Sequence, residues 1–239
     1  MIYKYREMDI HLKHLLGQDH LVILSHGFCN DSSSNGRFDL LGQALNQKSY
    51  GVLSFDYPGC GQSQSTDIWV QDQVDLLRAM ILYGYDLGYK TISLFGNSLG
   101  ALICLKAYDP TLKTLVLTGP LTGPMNYTWS DYYSLDQLKQ LEDHGYFYDG
   151  NHIISQRTLD GFKDIKTRDL MEAITCPLLM IHGNHPEDQE ELDLLALTSR
   201  AVTYLSSYYD LRIIDQGKHG LRDHWDQVVN MTLEWLEKV

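Results

Sequence analysis

Short apolar runs alternate with amphipathic stretches along this chain of 239 residues, and that alternation restricts the fold more than any other feature. Leu21–Ser25, Val52–Phe55, Thr91–Phe95, Leu115–Leu117 and Leu178–Ile181 are runs of this kind, and Leu211–Ile214 is a weaker sixth. Continuous apolar runs of this length read as strands covered on both faces, the pattern of a parallel sheet. Between them, residues 37–46 bring Phe38, Leu41 and Leu45 to one helical face, and residues 67–85 do the same with Val70, Val74, Leu77 and Ile81. A last helix is expected over 222–238, with Trp225, Val228, Val229, Leu233 and Leu236 at helical spacing. Strands alternating with helices imply an α/β fold with a mainly parallel sheet and flanking helices. The opening residues 3–15 alternate apolar and polar side chains, as expected of an antiparallel edge hairpin.

No repeat, low-complexity tract or linker divides the chain, so residues 1–239 read as one domain. About fifty residues, 124–176, separate two of the sheet runs, too many for a simple crossover. They read as a cap insertion, with a hairpin turning at Asp149-Gly150 and helical pieces near 135–141 and 155–162.

Apolar residues at 44% and charged residues at 21% indicate a globular chain. The formal charge of −12 gives it no general attraction to nucleic acid or to an anionic membrane. The N-terminal residues Met1–Glu7 lack the apolar stretch of a signal peptide, and no run approaches the ~20 residues of a membrane helix. Cys29, Cys60, Cys104 and Cys176 are widely spaced without a CxxC pair, which fits reduced thiols and a cytoplasmic location. Whether the chain forms a homodimer is left open by the sequence.

The most specific chemical signal is Gly96-Asn97-Ser98-Leu99-Gly100, between the run 91–95 and the apolar stretch 101–108. A GxSxG pentapeptide at a strand-to-helix turn is a nucleophile elbow, in which a sharp turn lifts the serine clear of the backbone. His26-Gly27-Phe28 directly follows the first buried run. There the Phe28 N–H, paired with that of Leu99, is placed to form an oxyanion hole. His219, in Gly217-Lys218-His219-Gly220, lies between the last run and the last helix, where the general base of a chain ordered serine, acid, histidine belongs. His224 is its rival, at the start of the final helix.

Together with the Asp56–Ser63 turn and the His182-Gly183 turn, these motifs make nearly the whole chain resemble the α/β-hydrolase superfamily. In that superfamily an aspartate commonly stands three residues after the glycine of the latter turn. Here that position is Pro186. Either a longer loop presents Asp188, with Glu187 close behind it as the alternative, or the acid is absent. More narrowly, the Gly36-Arg37-Phe38 region, the Phe55–Ser63 turn and the hairpin of the insertion are similar to small bacterial carboxylesterases of the cinnamoyl and feruloyl esterase type. The resemblance implies a serine esterase acting without a cofactor on small-molecule esters, with hydroxycinnamate or other short-to-medium acyl groups. Pro186 motivates the alternative, a protein of the same fold that binds a small ligand with little or no catalysis.

Other residues admit plainer readings. Tyr127, Tyr146 and Tyr148 either line an aromatic substrate pocket or form the core of the cap itself, and the same holds for Tyr132 and Tyr133. His182 and His185 have HxxH spacing, but both fall in a loop already accounted for, and no metal is assigned. Asp56 fits a turn-fixing role better than a nucleophilic one.

Overall fold

The two-sided apolar runs become the centre of a sheet in the computed structural model, which describes residues 1–239. In chain order the elements begin with β1 (Ile2–Tyr5), β2 (Met8–Leu15), β3 (His20–Ser25), α1 (Arg37–Gln47), β4 (Gly51–Phe55) and α2 (Val70–Asp86). Next come β5 (Thr91–Asn97), α3 (Leu99–Lys106) and β6 (Leu115–Thr118). Then follow α4 (Leu135–His144), β7 (Tyr146–Asp149), β8 (His152–Ser155), α5 (Gln156–Asp160) and α6 (Thr167–Glu172). The chain closes with β9 (Leu178–Gly183), α7 (Gln189–Ala201), β10 (Tyr209–Ile214) and α8 (Trp225–Lys238).

Eight strands form one sheet in the order β1-β2-β4-β3-β5-β6-β9-β10. The pairs β1–β2 and β2–β4 are antiparallel and the remainder parallel, so the opening residues supply the expected edge hairpin. Strand alternation divides the interior in two. Leu21 and Ile23 of β3 face a core with α2, α3 and the insertion, while Val22 and Leu24 face Phe38, Leu41, Trp225, Val228 and Trp235 of α1 and α8. No helix is long and apolar enough to cross a membrane. All four cysteines are unpaired.

Between β6 and β9 the chain forms a short 3-10 turn at Trp129–Asp131, then α4, the β7–β8 hairpin, α5 and α6. The hairpin shows strand alternation in its simplest form. Phe147 is fully buried, while its neighbours Tyr146 and Tyr148 are 43% and 56% exposed. Helix α2 begins at Val70 rather than at Asp67, because Asp67 is engaged with this insertion. Its carboxylate accepts from Ser155 Oγ and Arg157 Nε, both at 2.6 Å, and its backbone bridges to Ile153.

Helix α7 was not expected from the apolar pattern. Asp188 caps it, accepting from the Glu191 N–H at 3.1 Å, and its buried stripe is Glu191, Leu194, Thr198 and Ala201. Two of those four are polar, which removes the apolar stripe by which a helix is recognised.

Candidate active site

Ser98 sits between β5 and α3 with φ 55° and ψ −120°, a backbone conformation that is strained for any side chain but turns its hydroxyl outward. The flanking glycines are required by close approach. A Cβ on Gly96 would lie 2.6 Å from Ala101 Cα, and one on Gly100 would lie 2.1 Å from the Ser25 carbonyl oxygen. The Ser98 N–H donates to the Thr118 carbonyl at 2.8 Å, which anchors the turn to β6.

His219 Nε2 lies 3.0 Å from Ser98 Oγ, and His219 Nδ1 lies 2.6 Å from Glu191 Oε2. A carboxylate only accepts, so Nδ1 carries the proton and the Nε2 lone pair faces the serine hydroxyl. The carboxyl group facing His219 is therefore Glu191, and neither Asp188 nor Glu187 is in that place. Asp188 instead accepts the backbone N–H of His219 at 2.7 Å through Oδ2 while capping α7 through Oδ1. Glu187 is exposed, its N–H directed to the His185 ring. The loop after β9 spends its residues on entering a helix, and the first turn of that helix carries the acid inward. His224 lies away from the serine, its Nδ1 beside Gln227 Nε2 at 3.3 Å.

Glu191 is fully buried, and its two oxygens are fully used. Oε1 accepts from His182 Nδ1 at 2.8 Å and from the Gly183 N–H at 2.9 Å, leaving Oε2 for His219. Burial alone would raise its pKa, but the hydrogen bonds from His182 and His219 outweigh burial and hold it at about 2. Burial likewise disfavours a charged His219, yet the hydrogen bond and charge of Glu191, with Glu190 and Asp188 farther off, raise its pKa above 6.5. His182 completes the arrangement by meeting Thr198 Oγ1 through Nε2 at 2.9 Å. Both of its ring nitrogens are thereby occupied within the protein.

The loop after β3 is fixed by His26. Tyr57 N–H donates to His26 Nε2 at 3.1 Å, so the Nδ1–H donates to the Gly27 carbonyl at 2.8 Å. Burial holds this imidazole below its ordinary pKa and thus neutral. The Phe28 N–H has no acceptor within the chain. Leu99 begins α3, where the first N–H groups lack intrahelical partners. Asp56 fixes the neighbouring turns, accepting from Ser32 N–H at 2.6 Å and Gln62 N–H at 2.7 Å.

A cavity of about 340 Å³ opens over Ser98. Gly27, Phe28 and His219 form its floor, and the insertion supplies an aromatic wall of Tyr127, Trp129, Tyr132 and Phe162. Tyr127 donates to Glu190 Oε1 at 2.7 Å. Of the three tyrosines expected here, only Tyr127 reaches this cavity. Tyr146 and Tyr148 lie on the outer face of β7, beside a separate surface groove with Thr66 and Asp67. Tyr133 packs into the core against Phe147, with ring centroids 4.7 Å apart. Trp129, Phe162 and Glu191 went unrecognised in the sequence. The signal that finds Glu191 is the spacing Asp188-x-x-Glu191 ahead of an apolar stretch, a helix-start pattern.

The sequence pattern of the family described as serine aminopeptidase, S33 (Hydrolase_4) matches residues 17–142. No curated protein matches the chain in sequence. Est1E from Butyrivibrio proteoclasticus, solved with ferulic acid bound, superposes with a TM-score of 0.80 at 17% identity, covering 100% of this chain and 98% of that one. An esterase from Exiguobacterium antarcticum gives 0.72 at 16% identity, with 96% of each chain covered. A monoacylglycerol lipase from Paleococcus ferrophilus gives 0.72 at 19% identity, covering 95% of this chain and 98% of that one. These likenesses establish the α/β-hydrolase fold, as the motifs implied.

Proposed function

The chain belongs to the serine aminopeptidase S33 family of hydrolases, and from that premise we propose that it is a serine carboxylesterase. The observation that carries this reading is the line from Ser98 Oγ through His219 to a buried Glu191 at 3.0 and 2.6 Å. In the proposed reaction Ser98 Oγ attacks the ester carbonyl while its proton passes to His219 Nε2. The N–H groups of Phe28 and Leu99 donate hydrogen bonds to the developing oxyanion. Glu191 stabilises the imidazolium and keeps its Nδ1–H in place without taking the proton. Collapse expels the alcohol, protonated by His219, and water repeats the sequence on the acyl-enzyme. The chemistry so written uses this chain and water alone.

The four aromatic rings of the cavity wall support an aromatic or apolar acyl group. Ferulic acid bound in Est1E supports hydroxycinnamate esters as first candidates. The Glu191 carboxylate beside His219 favours this reading over a ligand-binding protein without catalysis, the alternative that Pro186 motivated. A fluorophosphonate probe should label Ser98, and p-nitrophenyl and hydroxycinnamoyl esters should be turned over faster than the matching anilides. Equal labelling of the wild type and Ser98→Ala, or turnover that Ser98→Ala retains, defeats this reading. A preference for anilides would assign peptidase chemistry to the same triad.

A further inference from the structure

Five arginines of this chain, Arg6, Arg78, Arg157, Arg168 and Arg212, have carboxylate partners within salt-bridge distance. Arg37, Arg200 and Arg222 have none, although the chain carries a formal charge of −12, and of these three Arg37 and Arg222 line the cavity over Ser98. Arg37 is buried, and it is held by neutral groups only. Nε donates to the Ser34 carbonyl at 3.0 Å, Nη2 to Ser34 Oγ at 2.9 Å, and Nη1 to the Gly220 carbonyl. Its guanidinium carbon lies 5.2 Å from the Trp225 ring centre. A guanidinium has five N–H donors, so two remain. A buried cation without a counter-charge is costly, and here a second cation makes it more so. Burial first, and then the charge of Arg222, lower the Arg37 pKa. Arg222 is exposed and makes no hydrogen bond within the chain, and the Asn35 amide beside it on the cavity wall is equally unengaged.

The lining also carries one charge of the other sign. Glu190 lies among the aromatic rings, where its carboxylate accepts from Tyr127. The acid thus belongs with the aromatic wall, and the two cations come from the loops after β3 and β10. Gly220, which accepts from Arg37, directly follows His219 in the chain, which sets the arginine beside the histidine. His219 protonates the departing oxygen, so the leaving alcohol occupies that side.

We propose that Arg37 and Arg222, with Asn35, form an anion subsite that binds a carboxylate carried by the alcohol portion of the ester. The preferred substrates are then esters of hydroxy acids, joined through their hydroxyl group to an aromatic or apolar acyl group. This rests on the esterase reading, with the acyl group against the aromatic wall.

The test compares cinnamoyl glycolate with cinnamoyl glycolamide, which differ by a carboxylate against an amide of similar shape. For the wild type, kcat/KM should favour the glycolate ester by about tenfold, the scale of a charge-assisted hydrogen bond. Arg222→Gln should bring the ratio near one, and Arg222→Glu should invert it. Arg222 is exposed and unbonded, and it repels the buried Arg37, so neither variant should fall below the wild-type Tm. Arg200→Gln, outside this cavity, should leave the ratio as it is. A wild-type ratio of one or less, or a ratio unmoved in both Arg222 variants, overturns the proposal. So does a preference for ethyl hemisuccinate over ethyl succinamate without one for the glycolate, which would place the anion on the acyl side. If Ser98 is not labelled and no ester is turned over, the esterase reading fails separately. Calorimetric binding of the two cinnamoyl esters to Ser98→Ala then decides the subsite alone, with tighter glycolate binding supporting it and equal affinities overturning it.

Discussion

Glu191 serves three donors with two oxygens, and this load explains why a glutamate on a helix can do what the loop residues cannot. Its carboxylate fixes His182, the turn at Gly183 and the His219 imidazole together. Glu191→Gln should lower kcat by roughly three to four orders of magnitude, since an amide no longer fixes the tautomer or balances the imidazolium. Steady-state kinetics on an ester should show this, with Glu187→Ala at the wild-type rate. Asp188→Ala should lower stability by about 1 kcal/mol through loss of the α7 cap, measured by urea unfolding. The pH profile adds a signed test. His219 acts as a base only when neutral, and its pKa is raised, so wild-type kcat/KM should fall with acidification around a midpoint above 6.5. In Glu191→Gln the raising hydrogen bond and charge are gone while burial remains, so the residual activity should show a lower midpoint. A midpoint that does not move would detach Glu191 from His219 in solution.

At the scale of elements, legibility followed the chemistry of the buried face. The central strands are apolar on both sides and could be read directly, as could α1 and α8 with their regular stripes. Helix α7 escaped because its buried face includes Glu191 and Thr198, which are there to meet the two nitrogens of His182. The same polar side chains that engage the two histidines erase its periodicity. That Ser98 and His219 would meet was legible from local motif and chain order, whereas the carboxylate that meets His219 depended on where a helix begins after the Pro186 loop. The hairpin β7–β8 was legible as a hairpin, but which face of it turned inward was not. Phe147 is inside and the two tyrosines outside, an outcome set by packing against Tyr133. Tyr146→Ala and Tyr148→Ala should therefore leave ester turnover within twofold of the wild type. Trp129→Ala should raise KM for aromatic acyl esters about tenfold or more, because it removes part of the cavity wall. Activity lost through Tyr148→Ala rather than Trp129→Ala would contradict this placement of the wall.

At the scale of the whole molecule, the insertion is continuous with the sheet's interior. Phe147, Ile154, Leu159 and Phe162 belong to the same apolar core as Leu21, Ile23 and the buried residues of α2 and α3. A hairpin with four residues in each strand is marginal by itself, so β7–β8 depends on this docking. The Asp67 contacts with Ser155 and Arg157 tie its second strand and the start of α5 to the approach to α2. Such a cap should not melt before the sheet beneath it. Phe147→Ala removes a fully buried ring and should lower global stability by about 3–5 kcal/mol, rather than loosen the cap alone. Urea unfolding of the wild type should give coincident transitions by far-UV circular dichroism and by tryptophan fluorescence. The four tryptophans report from both faces, with Trp129 in the insertion, Trp69 under its Arg157, and Trp225 and Trp235 against α1 and the sheet. An early fluorescence transition abolished by Trp129→Phe together with Trp69→Phe would show a cap that unfolds independently. If instead the probes coincide and Phe147→Ala shifts them together, the aromatic wall is as rigid as the sheet, and selection among acyl groups rests on a preformed surface.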